Sequence, residues 1–134
     1  MNGTEEKIQF TVRGLPQAKG STRAFIVKGK PVITSTNRNL KDWEHLVASE
    51  AQKLAPPTLW EGPVNLILRF YLPRPKTLPK KIVWHTKRPD LGKLARACED
   101  ALTGIIWRDD SQIVHEVLVK EYGDPPSVEV EIIK

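Results

Sequence analysis

Cysteine is nearly missing from this sequence of 134 residues: Cys98 stands alone, which rules out an intramolecular disulfide and a zinc site of the CxxC type. No apolar run approaches the roughly 18–20 residues that cross a bilayer, so no membrane partner is expected. The opening MNGTEEKIQF has no apolar core of the signal-peptide kind, and the expected location is the cytoplasm. A glycine-rich phosphate loop and a GxSxG elbow are both lacking. The three histidines, His45, His85 and His115, fall on a helix, a loop and a strand without metal-ligand spacing, and read as surface or packing residues. Cys98 lies on an apolar helix face and reads as core, not nucleophile.

What is present fits one domain, residues 1–134, with enough apolar sequence to bury a core. Charge is unevenly spread. Residues 73–96 carry Arg74, Lys76, Lys80, Lys81, Lys87, Arg88, Lys93 and Arg96 against Asp90 alone, a net of +7. Residues 97–134 hold nine acids and three bases, a net of −6. A basic segment beside a carboxylate-rich one fits a polyanion held against a cation-binding site. The plainer alternative is a solvated basic loop.

Alternation at Ile8, Phe10 and Val12 predicts a strand over Lys7–Gly14. Ala24–Thr34 reads as a hairpin turning at Lys28-Gly29-Lys30. From Asn37 to Leu54 the period is helical, with Leu40, Trp43, Leu46, Val47, Ala51 and Leu54 on one face and Pro56-Pro57 as the stop. Val64–Leu72 is the strongest strand and is expected at the centre of the sheet. The proline-rich PRPKTLPKK cannot be helical and is expected to display its cations from an extended, mobile segment. A second helix follows from Leu91 to Gly104, then short strands at Ile105-Ile106-Trp107 and Ile113–Tyr122, and a last alternating strand at Ser127–Ile133. The fold class is α+β: a mixed, mostly antiparallel sheet with two helices packed against it.

Two acidic points flank the second helix. Asp90 sits at its N-terminal end, where free backbone N–H groups favour an ionised carboxylate; its plain alternative is a simple N-cap. In the pair Asp109-Asp110, neighbours in extended backbone cannot both point to one site. One should serve the turn, bonding Ser111 or Gln112, and the other should be free to face Asp90. Asp100, about 15 Å along the helix from Asp90, is given a salt-bridge role. Mg²⁺ takes oxygen ligands, keeps several waters and is often held by one or two carboxylates plus substrate phosphates. Asp90 and Asp110, with Asp109 as a further candidate ligand, meet that minimum for metal-assisted phosphodiester hydrolysis. Trp43, Trp60 and Trp107 read as core, whereas Trp84, inside the basic segment, is a candidate for stacking on a base.

The run RPDLGKLARACEDALTGIIWRDDSQIV resembles the RusA-type endodeoxyribonucleases, the Holliday-junction resolvases of bacteria and their phages. That family's pattern is roughly P-D-L-D, a helix with a basic residue and D-A-L-T-G, then D-D-S/A-Q-V-V. A looser likeness extends to PQAKGSTRAFIVKGKPVITSTN and VKEYGDPPSVEVEI. The resemblance implies a small α+β homodimer that binds four-way DNA junctions and cuts them with Mg²⁺, or Mn²⁺ in its place. By position it puts the catalytic aspartates at Asp90 and Asp110 and the basic catalytic residue at Arg96. Many members have lysine there; arginine keeps the charge but does not deprotonate, so electrostatic stabilisation survives and proton donation does not. Lys76, Lys80, Lys81, Lys87, Arg88 and Lys93 would hold phosphates, with Lys19 and Arg23 as additions.

The departure is Gly92, where the family has its second aspartate. Three outcomes are open: one metal is enough, another acid such as Asp109 or Glu99 substitutes, or the chain is a weakened nuclease that chiefly binds branched DNA. A small interaction domain with incidental basic loops is the third class of reading.

Overall fold

The computed structural model describes residues 6–20, 22–35 and 39–134, and for 22–27 and 31–35 the backbone alone. In chain order the elements are β1 (Lys7–Arg13), β2 (Thr22–Val27), β3 (Lys30–Ser35), α1 (Leu40–Gln52), β4 (Val64–Leu72), α2 (Leu91–Leu102), a single 3-10 turn (Asp110–Gln112), β5 (Ile113–Tyr122) and β6 (Ser127–Ile133). Four strands form one sheet in the order β1-β6-β4-β5. β6 is antiparallel to both β1 and β4, while β5 runs parallel to β4. The parallel pair follows from the connection: the chain crosses back through α2 before re-entering the sheet. β4 is interior, as its apolar pattern predicted, and β5 is an edge.

One face of this sheet is the core. Paired residues form rows across it, Phe10–Val130–Leu68–Leu118 and Val12–Val128–Phe70–Lys120 among them. α1 and α2 pack together on that face, α1 also against β1 and α2 against β5. α1 buries Leu40, Trp43, Val47 and Ala51, and α2 buries Leu94, Ala95, Ala97, Cys98 and Leu102. The two helical stripes thus fill the space over the sheet. Leu46 and Leu54, expected on the buried face of α1, are 38% and 46% exposed. The helix stops at Gln52, and Leu54 and Ala55 close tight turns onto Ala51 and Gln52. Pro56 disfavours a helical backbone at Ala55, so the last predicted turn is lost.

β2 and β3 make the expected hairpin, but as a two-stranded sheet of their own. Lys28 and Gly29 both take positive φ, 52° and 76°, the geometry that matches hairpin twist. The segment Ile105-Ile106-Trp107 is not the strand that its composition suggested. Gly104, at φ 86°, donates its N–H to Trp107 O at 2.7 Å, while Ile105 and Ile106 both donate to Leu102 O at 3.1 Å. The run is a knot of turns that buries Ile106 and Trp107 completely.

β5 contains a one-residue slip. Val64 pairs with Ile113 but Asn65 with His115, so Val114 is bulged. Past the bulge, Glu116, Leu118, Lys120 and Tyr122 stand opposite the buried Leu66, Leu68, Phe70 and Leu72 and share their face. Three polar side chains are thereby placed on the helix side of the sheet edge.

Candidate metal centre and basic cleft

Asp90 is the N-cap residue of α2 by position, with φ −70° and ψ 137°, but its side chain makes no capping hydrogen bond. Its carboxylate is exposed, and the nearest cation is Lys93, with Nζ 3.8 Å from Oδ2. The plain N-cap role is therefore not what holds an aspartate here.

The pair after Trp107 divides its labour. Asp109 Oδ1 accepts the Ser111 N–H at 2.9 Å. Gln112 Oε1 accepts the N–H groups of Arg108 and Asp109, each at 2.9 Å. The Gln112 amide in turn donates to Trp60 O and Gly62 O at 2.9 and 3.0 Å, fixing this turn to the start of β4. The hydrogen bonds to Ser111 hold the Asp109 carboxyl below the usual range. Asp110 opens the 3-10 turn with its side chain exposed.

The structure does not bring Asp90 and Asp110 together within one chain. Asp90 opens α2, whereas Asp110 is sensed electrostatically by Glu99, in the last turn of the helix. Nine residues of helix separate Asp90 from Glu99, about 13 Å. The same displacement shows in the sheet: the Asp110 turn is tied to Gly62, while the Asp90 cleft includes Leu72 and Tyr122 at the far ends of β4 and β5. Eight strand steps span about 26 Å. Among the described residues no three His, Cys, Asp or Glu side chains gather closely enough for an ion. A metal held by one copy alone does not fit this arrangement, although the donors themselves, exposed carboxylates, suit a hydrated Mg²⁺.

Glu99 is the carboxyl that feels Glu116, Asp110 and Arg96 together. Burial, a hydrogen bond with Glu116 and the negative charges of Glu116 and Asp110 push the Glu99 carboxyl up to about 8, against the pull of Arg96. Glu99 is protonated in the folded chain over a range where it ionises when unfolded. Its ionisation therefore penalises folding increasingly as pH rises from 4.5 through about 8. Glu99→Gln is expected to melt above the parent protein at about pH 9 and alongside it at about pH 4; equal melting at both would refute the raised ionisation. Glu116 was not picked out from sequence, because the bulge at Val114 shifts the alternation that would have flagged an acid on the inner face.

Around Asp90 lies a cleft of about 830 Å³ lined by Lys19, His85, Lys87, Arg88, Lys93 and Tyr122, among others. Lys19 does not offer a spare charge. Its ammonium bridges Glu44 at 3.0 Å and Asp100 at 2.8 Å. Burial alone would lower its pKa, and those two carboxylates raise it instead. Lys19 thus ties its own segment to α1 and α2, and Asp100 has the salt-bridge role expected of it. The Arg23 side chain lies outside the described residues. Lys76, Lys80, Lys81, Lys87 and Arg88 are all exposed, and Arg96 projects from α2 into solvent.

The basic segment is not the extended strap that its prolines suggested. Leu78 N–H bonds Pro75 O at 3.1 Å and Ile82 N–H bonds Pro79 O at 3.0 Å, giving two successive turns. Arg74 clamps the second, donating to Ile82 O at 2.7 Å and Pro79 O at 2.8 Å, with its guanidinium 5.3 Å from the Tyr122 ring centre. Further on, the His85 ring lies 4.7 Å from that of Tyr122. Lys120 Nζ donates to Lys87 O and Pro89 O at 2.8 and 3.0 Å. Burial and the Lys120 charge lower the His85 pKa, keeping that imidazole neutral at pH 7. Lys120 and Tyr122, from the edge strand, thus position the whole approach to Asp90, and neither was singled out from sequence.

Gly92 is not required by the backbone. A Cβ added there meets nothing within 4 Å, and its φ is ordinary.

Comparison with known proteins agrees with the motif. The sequence model of a family described as endodeoxyribonuclease RusA matches residues 14–133. The uncharacterized protein YqaN of Bacillus subtilis (strain 168) is 33% identical over 135 residues, covering 93% of this chain and 94% of that protein.

Proposed function

Because this chain belongs to the RusA endodeoxyribonuclease family, we propose that it is a Mg²⁺-dependent endonuclease that resolves four-way DNA junctions as a homodimer in the bacterial cytoplasm, with each metal site shared between two copies. The observation that carries the shared site is the separation of Asp90 from Asp110 along α2. In a two-fold dimer, Asp90 of one copy can meet Asp110 of the other, and the operation that builds one such site builds its twin. Two equivalent sites are what paired incision of a four-way junction needs.

In this reading the ion supplies charge neutralisation at the scissile phosphate and makes an attacking water more acidic. Asp90 and Asp110 hold it, while Asp109 keeps the turn that presents Asp110. Arg96 stabilises charge developing on phosphorus without exchanging a proton. Lys76, Lys80, Lys81, Lys87 and Arg88 hold the phosphate backbone. Lys93, beside Asp90, orients that carboxylate and adds to the positive field of the cleft.

The second reading, a branched-DNA-binding protein that cuts weakly, is favoured by the glycine at 92. One experiment separates the two: incubation of a synthetic four-way junction and a matched duplex with the protein, with and without Mg²⁺. Paired nicks on the junction in Mg²⁺ support the nuclease; binding without cuts supports the alternative. Binding without metal should also weaken steeply with salt. Five phosphate contacts give a slope of log K on log salt of about −4.5, and a flat response would remove the basic cleft from the DNA interface.

A further inference from the structure

We propose that Trp84 is a stacking platform for an unpaired or unstacked base at the branch point of the DNA, an inference that rests on the reading of the protein as a branched-DNA nuclease. Three of the four tryptophans are core: Trp43 and Trp60 are 4% exposed and Trp107 is fully buried. Trp84 is 70% exposed, and Val83 before it 67%. A large ring left in water costs free energy unless a partner covers it.

The partner's chemistry follows from the setting. Trp84 immediately follows the turn carrying Lys80 and Lys81 and precedes His85, Lys87 and Arg88, which line the cleft beside Asp90. Cations dense enough to gather phosphates disfavour an uncharged protein surface but suit a nucleotide, which brings a negative charge and an aromatic face together. The backbone on both sides is held in place. Arg74 grips Pro79 and Ile82 before the tip, and His85 on Tyr122 with Lys120 on Lys87 grips it after. The ring is thus presented from a braced turn, so that ordering it on DNA costs less than ordering a slack loop. Paired duplex keeps its bases stacked on one another, whereas a branch point offers a base face with an incomplete stack. Trp84 would therefore discriminate structure and not sequence.

The test uses intrinsic fluorescence and affinity together. With the other indoles buried, the native protein is expected to show a red-shifted emission component from Trp84, and addition of a four-way junction in EDTA should quench it. Trp84→Ala should weaken junction binding about 10- to 100-fold while changing duplex binding by less than about 2-fold, and Trp84→Phe should retain most of the junction affinity. Because the side chain is exposed, neither substitution should alter the emission of the buried indoles, which reports the fold. Junction preference that survives Trp84→Ala overturns the platform alone. Failure of the native protein to prefer a junction over duplex removes the functional reading and the platform with it. Emission of the free protein that is already blue-shifted would place Trp84 in a subunit interface and likewise overturn it.

Discussion

Mixing two inactive variants is expected to restore cleavage. Asp90→Asn and Asp110→Asn should each lose at least about 100-fold in junction cleavage, since loss of one metal ligand forfeits several kcal/mol of charge stabilisation and about 3 kcal/mol is already two orders of magnitude. If each site draws Asp90 from one copy and Asp110 from the other, a mixed dimer contains one site with both aspartates and one with neither. Statistical exchange makes about half the dimers mixed, so roughly a quarter of all sites recover. The product should be single nicks and not paired incisions, because the intact site has no working twin. Denaturing gels of a junction labelled on each strand in turn give this readout. A mixture as inactive as its parents would show that both aspartates act from one chain, and a single variant that still cuts would show that its aspartate does not act.

The second large effect is a gain. Gly92→Asp should raise cleavage at limiting Mg²⁺ by on the order of 10-fold, by adding a carboxylate next to one that lacks support. The structure permits it, since a Cβ at 92 meets no neighbour within 4 Å. Position 92 is also in the first turn of α2, where an acid faces the positive end of the helix dipole. Stability should rise by about 0.5–1 kcal/mol. A Mg²⁺ titration of rate, paired with thermal melting, separates the two terms. Raised melting with unchanged metal dependence would mean that the missing ligand is already compensated, with Glu99, which feels the Asp110 charge, and its partner Glu116 as the residues to test next.

The parts legible from sequence were those set by local period. β4, β6 and the helical stripe of α2 follow from apolar spacing, and the Lys28-Gly29 turn from its residue types. What escaped prediction depended on hydrogen bonds between distant segments. Ile105-Ile106-Trp107 has strand composition, but Gly104 folds it onto Leu102 and Trp107. The prolines of residues 73–79 exclude a helix without revealing that Arg74 would bind two carbonyls and draw the segment into turns. Of the candidate site, the identities of Asp90 and Asp110 could be proposed from the motif, and the division of duty in the Asp109-Asp110 pair was foreseen as a choice. Their separation was not, because two acids that flank one helix read as neighbours in space until the direction of β5 relative to α2 is known. Glu116, Lys120 and Tyr122 were hidden by a single bulged residue.

The burial of Cys98 gives this scaffold a built-in reporter. The thiol is inaccessible at the centre of α2, and burial pushes its pKa up, so alkylating reagents reach it when the helix leaves the sheet. Asp90, Arg96 and Glu99 ride on or border the same helix. The labelling rate of one native cysteine therefore measures how often the frame carrying these residues comes apart, and its slowing on binding DNA or metal would gauge, without any engineered probe, how far either ligand locks that frame.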